Sequence, residues 1–97
     1  MMNDIEKIWR DFEAKPFPEG YAGVEIEGIE LASLDTFAAG CIDTFVRNEG
    51  RLDAGRISIL KECAAELAIV AQKLEGEAQD YFEKLHLLTV KVLRLVE

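Results

Sequence analysis

Two cysteines, one histidine and a group of arginines are the side chains of this sequence best suited to bind or react. Cys41, Cys63, His86 and Glu66 are all proper ligands for tetrahedral zinc. Counting along antiparallel helices from turns near Arg51 and Gly76 places the four at similar heights. The cysteines, however, fall inside apolar helical arcs, whereas Glu66 and His86 fall at the edges of theirs. The close-spaced ligand pairs of structural zinc sites are also missing. The expectation is therefore no metal and no cofactor, with two buried thiols and a boundary Glu66–His86 hydrogen bond. A metal or small-ligand site on Cys41, Cys63 and His86 is the alternative.

A nucleophilic cysteine needs a depressed pKa and solvent access. In "AAGCIDTF" Cys41 lies between Phe37 and Phe45 on an apolar stripe, the setting of a packing thiol. His86 lacks a recognisable pocket, and Glu62 with Glu66 or Glu75 with Glu77 are pairs that any acidic helix surface carries. No nucleophile with an adjacent base and no phosphate-binding glycine loop occurs, so the chain is not expected to be an enzyme.

The basic cluster is Arg47, Arg51 and Arg56, around "RNEGRLDAGR". Arg47 suits the last turn of a helix and has Asp43 as an ion-pair partner four residues earlier. Arg56, like Gly55, is placed in the first turn of the next helix, where a cation opposes the dipole. A helix N-terminus with nearby arginines can hold an anion, but Asp53 should already occupy those amides as the cap. The three arginines are candidate anion or partner contacts.

The elements that position these groups are legible from periodicity. Ile5, Ile8, Trp9 and Phe12 recur at helical spacing until "KPFPEG" ends the pattern. "VEIEGIEL" alternates apolar and acidic residues about Glu27-Gly28 and reads as a small hairpin, pairing Ile26 with Ile29 and Glu25 with Glu30. Ser33 or Asp35 can cap a helix whose stripe is Leu34, Phe37, Ala38, Cys41, Ile42 and Phe45, stopped by Gly50. Asp53 caps a third helix, with Leu52 and Ile57 as a hydrophobic staple. This helix runs to about Leu74 and has a wide apolar arc that includes Ile59. After Gly76, residues Ala78, Tyr81, Phe82, Leu85, Leu88, Val92 and Leu95 make the last amphipathic helix.

The predicted fold is mainly α: a short amphipathic N-terminal helix, a small β-hairpin, then three antiparallel up-and-down helices in a four-helix, bundle-like arrangement. At 97 residues the chain is expected to form one small helical domain, spanning 1–97.

Nineteen acids against eleven bases give a net charge of −8, which disfavours nucleic acid and anionic lipid as partners. Nine of the acids lie between Met1 and Asp35, so a basic partner would meet that part first. No apolar run approaches the roughly 18 residues of a membrane span, and the N-terminus lacks an export pattern, so a cytoplasmic protein with reduced thiols is expected. Ile69, Leu87 and Val90 lie off the main arcs and, with Trp9 and Tyr21 as aromatic anchors, form a candidate interface. Together these features point to a non-enzymatic protein acting through protein–protein contact. It would be regulatory, inhibitor-like or immunity-like, and it would associate with itself.

Overall fold

Helix α1 (Met2–Glu13) ends where Pro16 and Pro18 force extended backbone, in a computed structural model that describes residues 2–97. Its buried side chains, Ile5, Trp9 and Phe12, follow the helical repeat. The hairpin comes next, with β1 (Glu25–Ile26) antiparallel to β2 (Ile29–Glu30) and Glu25 opposite Glu30, the expected register. Its two-residue turn has positive φ at both Glu27 (52°) and Gly28 (81°), the backbone that matches strand twist in a tight hairpin. So short a ladder is marginal alone. It is held by the core contacts of Val24, Ile26 and Ile29 and by a 2.9 Å ion pair from Lys73 to Glu27.

Helix α2 (Leu31–Arg47) begins directly from β2, earlier than the candidate caps at Ser33 and Asp35 imply. Extended Glu30 is the N-cap residue, and the Leu31 amide donates to the Val24 carbonyl at 3.1 Å, which carries hairpin pairing into the helix. Ser33 donates its hydroxyl to the Glu30 carboxylate instead of capping, and Asp35 faces Tyr81. At the other end Gly50 (φ 92°) turns the chain, and its amide donates to the Phe45 carbonyl at 2.8 Å.

Helix α3 (Ala54–Lys73) has the expected cap, with the Asp53 carboxylate accepting from the Arg56 amide at 3.3 Å. Helix α4 (Gly76–Val96) returns after a short turn, where the Gln79 side-chain amide donates to the Ala71 carbonyl at 3.0 Å. The packing of α2, α3 and α4 with α1 is a helical bundle, and its centre is filled by Ile42, Phe45, Leu60, Leu67, Phe82 and Leu88. Thr89 also lies in this core, where its hydroxyl is satisfied by donation to the Leu85 carbonyl at 2.8 Å.

Three assignments to the apolar stripes are corrected. Phe37, Ile59 and Leu95 are exposed, and Leu93 is buried on α4. At 100° per residue each of the three exposed side chains sits roughly 70–90° from the middle of its helix's buried arc, on the flank.

Candidate functional site

The thiols are packing groups. Cys41 and Cys63 are both buried, and Cys41 Sγ donates to the Arg56 carbonyl at 3.7 Å. Burial pushes the Cys41 thiol up, more than the nearby Arg56 charge lowers it. Cys63 is pushed up to about 11, chiefly by burial and then by Cys41, Glu66 and Glu62. Both therefore stay protonated near neutrality, the opposite of an activated nucleophile.

The zinc constellation does not assemble. Among the described residues no three His, Cys, Asp or Glu side chains are gathered to hold a metal ion. Glu66 is exposed and His86 half-buried, with no hydrogen bond between them. Similar height is not enough when the two thiols are buried and the carboxylate lies outside.

The arginine cluster is likewise dispersed. Arg47 pairs with Asp43 at 2.8 Å and lines a polar groove with Glu6, Arg10 and Glu13. Arg56 donates to Asp53 at 2.8 Å and lines a different, apolar groove. Arg51 is exposed and has no ion pair among the described residues. The discord of an arginine in a first turn is thus resolved locally, because its guanidinium folds back onto the capping carboxylate.

That contact holds the Asp53 carboxyl below the usual carboxylate range. A depressed carboxylate contributes stability above its unfolded pKa and loses it as pH falls through its folded value. Asp53→Ala is therefore expected to lower the thermal midpoint by a few degrees near neutral pH. The deficit should shrink in acid, below the ordinary aspartate range, and thermal unfolding followed by circular dichroism across pH checks this.

The candidate interface residues separate into two groups. Trp9 is only 4% exposed, stacked on Phe12 with ring centroids 6.0 Å apart, so it is a core residue and not a surface anchor. Tyr21 is half-buried against the core and Val90 is half-buried. Ile69 and Leu87 are exposed, at 40% and 51%, on the outer faces of α3 and α4.

The larger apolar feature lies elsewhere. Phe37 on α2 and Ile59 on α3, 59% and 44% exposed, line one groove of about 350 Å³ together with Gly40, Cys41 and Arg56. A Cβ built on Gly40 would meet nothing within 4 Å, so the groove is open beside Phe37. Sequence patterning placed both large side chains inside, and the only signal against this was their position at the edge of the arcs.

A second feature missed in the sequence joins α2 to α4. The Tyr81 hydroxyl donates to Asp35 at 2.7 Å, and burial raises the Asp35 carboxyl while this hydrogen bond lowers it. Tyr81 also packs on Phe12 at 4.6 Å and on Phe82 at 5.3 Å between ring centroids. The chain matches no protein-family model, no curated protein and no solved structure.

Proposed function

We propose that this chain is a non-enzymatic interaction module of the regulatory or inhibitor kind, and that it pairs with a second copy of itself through Phe37 and Ile59. The observation that carries the reading is the exposure of these two large apolar side chains, from different helices, on one groove. Large aromatic side chains at the centre of a contact patch are the usual source of binding energy. A twofold interface must be self-complementary, and the ion pair of Asp53 with Arg56 supplies both signs of charge on the rim of this patch. Gly40 beside it leaves room for a partner helix to approach.

The acidic N-terminal third offers a second kind of contact, to a basic protein. Charge complementarity of that sort accelerates encounter and makes association sensitive to salt.

Sedimentation equilibrium tests the self-pairing. The wild-type protein is expected at twice the 10.9 kDa chain mass. Phe37→Asp should weaken the dimer by about 30-fold, the size of a 2 kcal/mol hot spot, with unchanged helical circular dichroism. A wild-type monomer at all concentrations, or a Phe37→Asp variant that dimerises equally well, overturns the proposal.

A further inference from the structure

The loop that leaves α1, from Lys15 to Glu19, packs on α4 and with it walls a groove of about 670 Å³. That is the size of a small-molecule site, and this groove shares no residue with the Phe37–Ile59 patch. Its floor is aromatic. Phe17 meets Tyr81 edge-on at 5.8 Å and Phe82 at 6.0 Å between ring centroids. Pro16 and Pro18 fix the backbone on either side of Phe17, so the wall is held in shape before any ligand arrives.

Two cations far apart in the chain meet at this groove. Lys15 on the loop and Lys84 on α4 both line it, and neither forms an ion pair among the described residues. The group Lys15 feels most strongly is Lys84, whose contact and charge push the Lys15 ammonium below its ordinary value despite Asp80 and Asp11. Two ammonium groups side by side repel, and a carboxylate accepting from both would relieve them with charge-assisted hydrogen bonds. The acids Glu19, Glu77 and Asp80 also line the groove. Against the two lysines these three acids leave the lining at a net charge of −1, which penalises a dianion such as a phosphate monoester more than a monoanion, so at most a single negative charge is accommodated, and only between the lysines.

We propose that this groove binds a small aromatic monocarboxylate, with the ring against Phe17 and Tyr81 and the carboxylate between Lys15 and Lys84.

Titration of the full chain with phenylacetate, followed by two-dimensional amide NMR, tests this. Phenylacetamide serves as the neutral analogue and phenethylamine as the cationic one. Saturable shifts centred on Lys15, Phe17, Tyr81 and Lys84 are expected, with phenylacetate at least about tenfold tighter than phenylacetamide. Lys84→Gln and Lys15→Gln should each weaken phenylacetate about five- to tenfold. Both lysines are exposed, so the variants should keep the wild-type spectrum. If one of them does not, the other carries the test. Lack of saturation, equal binding of the amide, tighter binding of the amine, or shifts mapping outside the groove each overturns the proposal. So does indifference of phenylacetate affinity to both lysine replacements.

Discussion

Trp9→Ala is expected to destabilise the fold by about 3–5 kcal/mol, and to do so equally at every protein concentration. The side chain is almost wholly removed from water and stacks on Phe12, which in turn meets Tyr81 on α4. Removing it deletes the bulkiest of the buried side chains of α1 and leaves a cavity that a short, partly acidic helix cannot collapse to fill. Domains of this size have total stabilities of about 5–15 kcal/mol, so the variant should be near its unfolding threshold at room temperature. Urea unfolding at two protein concentrations a hundredfold apart is the measurement. Were Trp9 a partner-binding anchor, the loss would appear in association, and the monomer's midpoint would hardly move. Trp9→Phe, which keeps an aromatic ring on Phe12, should lose markedly less than the alanine variant.

The contrast between Trp9 and Phe37 shows what a linear pattern can and cannot carry. Both are aromatic residues in register with an apolar helical stripe, and the expectation for each was reversed: Trp9 lies inside and Phe37 outside. Spacing along one helix fixes which residues share a face, but the width of the face that a neighbour covers depends on where that neighbour lies. On α2 the covered arc is centred on Leu34, Ala38 and Phe45, and Phe37 falls just past its edge.

Features decided within a few residues were legible. The Asp53 cap needs only the next turn of backbone, and the hairpin register follows from a two-residue turn that tolerates positive φ at both positions. The onset of α2 was less so, because the strand before it runs straight into the helix and makes a dedicated side-chain cap unnecessary. The zinc constellation failed for a related reason. Height along a helix can be counted from the turns, but burial also has to agree, and Glu66 is exposed and His86 half-buried while both cysteines are buried. Contacts between remote positions left no trace in the sequence. The hydrogen bond of Tyr81 to Asp35 spans 46 residues, and the approach of Lys15 to Lys84 depends on how the proline loop lies on α4.

The Tyr81–Asp35 bond is where this long-range order can be weighed. Tyr81→Phe is expected to cost about 1–3 kcal/mol near neutral pH, the range for leaving a partly buried polar group without its partner. The ring stays, so its packing on Phe12, Phe17 and Phe82 is kept, and the loss isolates the hydroxyl. Burial raises the Asp35 carboxyl above its ordinary value of 3.8, and donation from Tyr81 offsets part of that rise. A carboxyl whose folded pKa is raised binds its proton more tightly when folded. Its charged form therefore costs stability, and that cost develops as pH rises through the folded value and is complete at neutrality. Without the hydroxyl, Asp35 should titrate higher still, so the Tyr81→Phe deficit should be small in acid, where the carboxyl is neutral, and full at neutral pH. Asp35→Asn in the Tyr81→Phe background removes the charge that the missing hydroxyl had stabilised, and should recover part of the loss at neutral pH and little in acid. Urea unfolding of the wild type, both single variants and the double variant at acidic and neutral pH completes the cycle. A deficit that does not change with pH would mean that the hydroxyl stabilises this helix pair without regard to the charge on Asp35.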